Sequence, residues 1–137
     1  MARDIFHDRV RDSLERDGWT ITDDPFFVRF DGSNFQIDLG AEKMIAAEKD
    51  NEKIAVEIKS FLNQSAQTDF YNALGQFLSY RLALREVEPD RTLYLAVPLN
   101  TYEDFFQSTF AKLAVSEYEL KLIVYDSTQG GLIQWID

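Results

Sequence analysis

The chain has 137 residues, of which 45% are hydrophobic and 14% aromatic, the size and composition of one folded globular domain. It contains no cysteine, which excludes a disulfide framework, a zinc site built on thiolates and a cysteine nucleophile. The 24 acidic residues against 14 Lys and Arg give a net charge of −10, whereas nucleic-acid-binding domains usually carry a basic footprint. If the chain acts on DNA, we therefore expect it either to bind weakly alone or to borrow affinity from a partner.

We expect a single domain over residues 1–137, because no Pro/Gly-rich linker, internal repeat or low-complexity tract divides the sequence. The first residues, MARDIFHDRV, alternate charged and apolar side chains and lack the long apolar region of a signal peptide. No segment approaches the apolar length needed to cross a bilayer. These patterns predict a cytoplasmic protein with no membrane association.

Residues 3–17 predict an amphipathic helix. Phe6, Val10 and Leu14 fall four apart on one stripe, with charged residues elsewhere. Gly18 follows at a position that favours glycine at the end of a helix.

The next part of the chain predicts β-structure in two runs joined by a turn. Residues 19–30 have a β-type composition, and the DGSN sequence at 31–34 predicts a hairpin. Residues 35–49 alternate apolar and polar side chains and therefore predict one strand. Its polar parity carries two carboxylates, Asp38 and Glu42.

A second strand is predicted at residues 52–61, EKIAVEIKSF, after a turn at 50–51. One parity of this strand is filled by β-branched residues, and the opposite parity includes Glu57 and Lys59. Because residues two apart in a strand point to the same face, these two charges emerge side by side.

A long helix and a buried strand follow. Residues 65–88 predict a helix with Ser65 or Thr68 as its N-cap, apolar around much of its circumference and therefore largely covered. Residues 91–99, RTLYLAVPL, predict a strand in a sheet that is covered on both faces.

The end of the chain predicts another helix and two strands. Residues 102–118 have aromatic and aliphatic side chains at helical spacing, and strands are predicted at 120–126 and 131–136. The order of elements indicates an α/β fold with a mixed β-sheet flanked by helices.

The polar face of the two adjacent strands predicts a site for metal-assisted phosphodiester hydrolysis. Carboxylates from neighbouring strands can hold Mg²⁺, or Mn²⁺ in its place, together with water and a substrate phosphate. Glu57 is one predicted ligand. The second metal ligand is either Asp38 or Glu42. Asp is the commoner metal ligand, which favours Asp38, whereas the hairpin register brings Glu42 nearer to Glu57. Lys59 would activate a water or stabilise charge on the phosphate. The structural alternative is that Glu57 and Lys59 form an ion pair at the surface, which contributes little to stability.

Two short motifs carry a resemblance to a known superfamily. EIK at residues 57–59 resembles the second half of the PD-(D/E)xK nuclease hallmark, in which an acid on one strand precedes D/E-x-K on the next. QFLSY at 76–80 is similar to the Q-x-x-x-Y pattern of RecB-like members. Gln76 and Tyr80 are i, i+4 neighbours in a helix, and the resemblance implies that both complete the site.

At the level of the whole chain, the sequence resembles the XisH family of cyanobacterial fdxN-element excision controlling factors. The segments that carry this resemblance include DIFHDRV, IDLGAEKMIAAEK, KIAVEIKSF, ALGQFLSYRLAL and LYLAVPL. It implies a restriction-endonuclease-like fold and a role in programmed excision of a DNA element. It also implies a site-specific recombinase and an XisI-like companion factor as partners. The net charge adds the expectation that the chain binds DNA with the help of a partner protein. Whether the chain forms a homo-oligomer stays open.

Two functional hypotheses follow. The first is an excision controlling factor with an endonuclease-like, Mg²⁺-dependent phosphodiesterase site. The second is a non-catalytic regulatory subunit that keeps a nuclease fold and acts through protein partners. The E-x-K motif favours the first hypothesis, and the net charge of −10 favours the second.

Overall fold

The computed structural model of the chain describes residues 2–30, 33–35, 44–63 and 65–137. The elements among these residues are, in chain order, α1 (Ala2–Arg16), β1 (Thr20–Asp23), β2 (Val28–Phe30), β3 (Ser33–Phe35), β4 (Met44–Lys49), β5 (Glu52–Ile58), α2 (Ala66–Val87), β6 (Arg91–Pro98), α3 (Leu99–Glu103), a 3₁₀ turn (Phe105–Gln107), α4 (Thr109–Glu117), β7 (Leu122–Tyr125) and β8 (Leu132–Ile136).

A mixed six-stranded sheet in the order β1-β4-β5-β6-β7-β8 forms the centre of the fold. Strands β5, β6 and β7 run parallel, while β1, β4 and β8 extend the sheet by antiparallel pairing. The β2–β3 hairpin forms a separate two-stranded sheet. The predicted α/β fold, a mixed sheet flanked by helices, is therefore confirmed.

The sheet is buried on both faces, which explains the near-continuous apolar composition of its central strands. Met44, Ala46 and Ala55 belong to the core cluster that α2 covers. Ile45 and Val56, on the opposite parity, belong to the cluster that includes residues of α1. The predicted parity of the β5 strand is confirmed, because Glu57 lies on the same side as Ala55.

Helix α2 follows β5 and covers one face of the sheet. Its N-cap is Ser65, whose Oγ accepts a hydrogen bond from the backbone N–H of Thr68 at 3.1 Å. Of the two predicted N-caps, Ser65 is therefore the one that caps the helix. Phe77 is fully buried, but Tyr71 is 51% exposed and Leu82 is 65% exposed. The prediction of a largely covered helix is therefore right for the face toward the sheet and wrong for the outward face.

The described part of the strand predicted over residues 35–49 belongs to two different sheets. Its first residue, Phe35, lies in β3 of the small hairpin sheet, and Met44–Lys49 form β4 of the large sheet. Alternation of side chains cannot show a change of sheet, because either sheet produces the same period. The predicted site residues Asp38 and Glu42 lie outside the described residues.

The single helix predicted over residues 102–118 is also wrong. Helix α3 ends at Glu103, a 3₁₀ turn follows, and α4 begins at Thr109. The new helix starts after Ser108, which has an extended backbone and whose Oγ accepts a hydrogen bond from the N–H of Ala111 at 3.2 Å. A serine that caps a new helix competes with continuation of the old one.

An ionic cluster joins α1 to the loop after β1. The carboxylate of Asp24 accepts hydrogen bonds from His7 Nε2 at 2.9 Å and from Arg11 Nη1. Burial by itself raises the pKa of Asp24, but the hydrogen bonds and positive charges of His7 and Arg11 outweigh it. The pKa of Asp24 therefore lies below its ordinary value, and the folded state favours the ionised carboxylate.

We expect this cluster to make stability depend on acid pH. Because the pKa of Asp24 lies below the value of about 3.9 in an unfolded chain, its carboxylate stabilises the fold above that pH. That contribution disappears as the pH falls through the folded-state pKa. The difference in the free energy of unfolding between wild type and Asp24→Asn should therefore be largest near neutrality and shrink below about pH 4.

Urea denaturation of both proteins from pH 2 to 7 measures this difference. Asp12→Asn on α1 controls for loss of a charge, and a difference that is constant with pH contradicts the expectation.

We expect the core between α2 and the sheet to dominate stability. Phe77→Ala should lower the free energy of unfolding by about 3–5 kcal/mol, because the ring is fully buried. The matched control is Leu82→Ala on the same helix, which should change it by less than about 0.5 kcal/mol. Urea denaturation of both variants measures the contrast, and equal losses would show that this face of α2 does not form the core.

Candidate functional site

The carboxylate of Glu57 lies at the centre of the sheet, near the carboxyl end of β5. Glu57 is paired with Met44 on the antiparallel side and with Leu95 on the parallel side. Its side chain is fully buried, with 0% exposure. An ionised carboxylate in such a position costs several kcal/mol unless other groups compensate its charge. The alternative of a solvated surface ion pair is therefore wrong for Glu57.

Lys59 supplies a positive charge beside this carboxylate. Its side chain is 12% exposed, and Nζ lies 3.9 Å from Oε2 of Glu57. Nζ also donates a hydrogen bond to Oε1 of Gln76 at 2.5 Å. Charge-assisted hydrogen bonds are shorter and stronger than those between neutral groups. The ammonium group of Lys59 is thus held between a strand carboxylate and a helix amide.

The backbone of Lys59 is fixed by the two neighbouring strands. Its N–H donates to the carbonyl oxygen of Ala96 at 3.0 Å. Its own carbonyl oxygen accepts a hydrogen bond from the hydroxyl of Tyr125 at 2.9 Å. Lys59 follows the last residue of β5, so these contacts continue its attachment to the sheet beyond the strand.

Gln76 and Tyr80 project from α2 toward the sheet, one helical turn apart. Gln76 is partly buried and contacts Lys59 directly. Tyr80 is 5% exposed and belongs to the core cluster that also contains Met44 and Leu95, the two strand partners of Glu57. The structure therefore brings Glu57, Lys59 and Gln76 into one cluster and places Tyr80 in the layer beside them.

The fit of the cluster to a divalent metal depends on its carboxylates. Mg²⁺ in phosphate-processing sites is usually held by one or two carboxylates, with water and substrate phosphate as the other ligands. Glu57 fits as one such ligand. Within residues 2–30, 33–35, 44–63 and 65–137, no group of three His, Asp or Glu side chains is arranged to hold a metal. The predicted second carboxylate, Asp38 or Glu42, belongs to the segment before Met44 that lies outside these ranges.

The structure adds one residue to the site, Tyr125, that the sequence patterns did not single out. Nearby in the chain, Phe61 in the loop from β5 to α2 has a φ of +53°, a left-handed conformation that is unusual for a bulky side chain. Its ring packs against Phe106, with the ring centroids 5.8 Å apart. Tyr125 anchors the carbonyl of Lys59 from the end of β7. The register of parallel strands would have been needed to find Tyr125, and no sequence signal marks Phe61.

The fold and the cluster define a class of protein: a mixed α/β domain with a buried Glu–Lys pair at the carboxyl end of a central strand and a glutamine from the crossover helix. The chain belongs to the XisH family, because the family model described as XisH protein matches residues 1–133. No curated protein matched the chain. No helix among the described residues is long and apolar enough to cross a membrane.

Two solved structures are similar to the chain over nearly its full length. The crystal structure of an fdxN element excision controlling factor protein from Anabaena variabilis is 52% identical, with a TM-score of 0.89, covering 98% of this chain and 99% of that one. The crystal structure of an XisH family protein from Nostoc punctiforme PCC 73102 is 49% identical, with a TM-score of 0.88, covering 97% of this chain and 99% of that one.

We expect Lys59 and Gln76 to be energetically coupled. A double-mutant cycle with Lys59→Ala and Gln76→Ala should give a coupling free energy of about 1–3 kcal/mol, because the hydrogen bond joins a charged donor to a neutral acceptor in a mostly buried place. Urea denaturation of the four proteins measures it. A parallel cycle with Asn72→Ala, an exposed residue one turn earlier on α2, should give a coupling near zero. Equal couplings in the two cycles would contradict the contact.

Proposed function

We propose that the chain is an excision controlling factor with an endonuclease-like, Mg²⁺-dependent phosphodiesterase site that acts on DNA. The observation that carries the proposal is the fully buried carboxylate of Glu57 beside Lys59, whose ammonium is bound by Gln76. Replacement of a buried ion pair by apolar residues often stabilises a protein. The presence of a buried acidic side chain and a basic side chain together at the end of a central strand therefore favours a chemical role over a structural one.

We further propose that the fold is restriction-endonuclease-like, within the PD-(D/E)xK superfamily. Three features support this classification. The E-x-K motif ends β5, which pairs antiparallel with β4 and parallel with β6. Helix α2 connects β5 to β6 across one face of the sheet, and α1 covers the other.

In the proposed site, Glu57 together with Asp38 or Glu42 would hold Mg²⁺, or Mn²⁺ in its place. When bound, the ion would supply Lewis-acid stabilisation of the phosphate and a more acidic water. Lys59 would add positive charge where negative charge develops on the phosphate, or accept a proton from the attacking water. Gln76 would orient the ammonium of Lys59, and Tyr80 would hold the helix against the site.

The relatives support the biological side of the proposal. The Anabaena variabilis protein, 52% identical, is described as an fdxN element excision controlling factor. For this chain we propose the same setting in the cytoplasm, with DNA, a site-specific recombinase and an XisI-like companion as partners. Self-association into a homo-oligomer is compatible with this setting.

A second function is favoured by charge. A net charge of −10 opposes binding to DNA, because phosphate neutralisation supplies most non-specific affinity. A regulatory subunit that keeps the fold and acts through protein contacts would not need that affinity. In that case the Glu57–Lys59 pair would be inherited and would no longer take part in chemistry.

A nicking assay separates the two functions. Wild type, with and without the companion factor, is incubated with supercoiled DNA and Mg²⁺, Mn²⁺ or EDTA. We expect metal-dependent nicking that falls by about 100-fold or more in Lys59→Ala and in Glu57→Gln, because each variant removes a charge that stabilises the transition state. Lys112→Ala, which removes an exposed lysine of α4, should nick like wild type.

Two outcomes of this assay contradict the catalytic proposal. Equal nicking by wild type and both site variants would assign the activity to a contaminating nuclease. No nicking by any protein, even with the companion factor present, would favour the regulatory subunit.

A further inference from the structure

Four positive side chains converge on one pocket at the end of the sheet opposite Glu57. The pocket has a volume of about 170 Å³ and lies between the last turns of α2, the start of β6 and the residue before β7. Its charged lining residues are all cationic: Arg81, Arg85, Arg91 and Lys121. No carboxylate is among the described residues that line it. In a chain with 14 Lys and Arg against 24 acidic residues, such a concentration of one sign requires an explanation.

Two of the four cations are fixed by the fold and form the walls of the pocket. Arg91 is bound by the carbonyl oxygen of Ile54 at 2.9 Å and by the carboxylate of Glu88 at 3.0 Å. Arg81 donates from one nitrogen, Nη1, to the carbonyl oxygen of Glu119 at 2.9 Å. Both guanidinium groups are thus held in position before any ligand arrives, which lowers the entropy cost of binding.

The other two cations are more exposed. Arg85 is an exposed residue of the last turn of α2. The side chain of Lys121 is 40% exposed, and its Nζ lies 3.9 Å from the carboxylate of Asp137, which is itself 64% exposed. A loose ion pair between exposed groups contributes little and is easily replaced. Arg85 and Lys121 can therefore turn toward a ligand.

The charged side chains that line the pocket are all cationic despite the net charge of the chain, and the carboxylates of Glu88 and Asp137 pair with two of them from outside the lining. Burial lowers the pKa of Arg81, and the positive charge of Arg85 lowers it further, while Glu119 acts in the opposite direction. Two arginines that repel each other are stabilised by an anion placed between them. A cleft lined by one sign of charge also focuses its field on the solvent inside it.

We propose that this pocket binds a phosphate group of the DNA backbone. The proposal rests on the proposed function only in naming DNA as the source of the phosphate. Guanidinium groups match the geometry of phosphate oxygens, and lysine adds a point charge. Arg91 and Leu95, the strand partner of Glu57, lie about 13 Å apart along β6. That length corresponds to about four base-pair steps of duplex, so one duplex can reach both places.

A purely structural role for these residues makes a different prediction. Positive side chains in the last turn of a helix stabilise the helix dipole, and this reading applies to Arg85. It does not apply to Arg91 or Lys121, which belong to other elements. Under the structural reading, Arg85→Ala lowers stability and leaves DNA affinity unchanged.

The test measures binding of the full chain to a labelled duplex in EDTA, over a series of salt concentrations. We expect Arg85→Ala and Lys121→Ala each to weaken binding roughly tenfold, the effect of losing one charge-assisted contact. Each variant should also reduce the slope of log K against log salt by about one. Lys112→Ala controls for loss of one positive charge away from the pocket and should leave the slope unchanged.

The outcomes separate this pocket from the nicking activity. EDTA removes divalent metal, so the measurement reports DNA binding without cleavage. Binding that depends on Arg85, in a protein that never nicks DNA, would contradict the proposed function but support the phosphate pocket. Equal slopes for wild type, Arg85→Ala and Lys121→Ala, or no binding by wild type at low salt, would overturn the pocket. If inorganic phosphate raises the melting temperature of wild type but not of Arg85→Ala, while the duplex does not bind, the assignment to DNA is overturned in favour of a free phosphate compound.

Discussion

The burial of the Glu57 carboxyl group is the constraint on which the rest of the site depends. Strands β4 and β6 pair on either side of it, and α2 covers its face of the sheet. A carboxylate at 0% exposure needs compensating charge nearby, and Lys59 lies 3.9 Å away. The contacts of Lys59 with Gln76, Ala96 and Tyr125 then fix that lysine in place. These three contacts are hydrogen bonds, and together they keep the ammonium group of Lys59 near the carboxylate of Glu57.

The distribution of charge matters more to this protein than its total. The net charge of −10 is a sum over the whole chain, but the Glu57–Lys59 pair and the pocket of Arg81, Arg85, Arg91 and Lys121 lie at opposite ends of the parallel strands. Screening limits the reach of exposed charges to about 8–10 Å at physiological salt. Local clusters therefore decide which ligands approach each end, and an acidic protein can still present a place for phosphate.

Family membership and function are separate conclusions here. A TM-score of 0.89 at 52% identity establishes that the chain shares its fold with an excision controlling factor from Anabaena variabilis. The same fold can host many chemistries, so activity has to be argued from the site. In the proposed site, Lys59 contacts both Glu57 and Gln76. Asp38 and Glu42 remain predictions.

The sequence by itself determined the local features, because these depend on neighbours along the chain. Alternation placed Glu57 and Lys59 on one face at the end of β5, and Ser65 was one of two predicted caps for the start of α2. The E-x-K and Q-x-x-x-Y patterns named three residues that the fold brings together. Only the tertiary structure decided that Glu57 is buried, since its exposure depends on the strands and helix packed around it. It also decided that the predicted helix over 102–118 is interrupted between Glu103 and Thr109. The basic pocket, too, exists only in three dimensions: its cations come from α2, β6 and the residue before β7, and no periodicity in the sequence connects residues that meet only through folding.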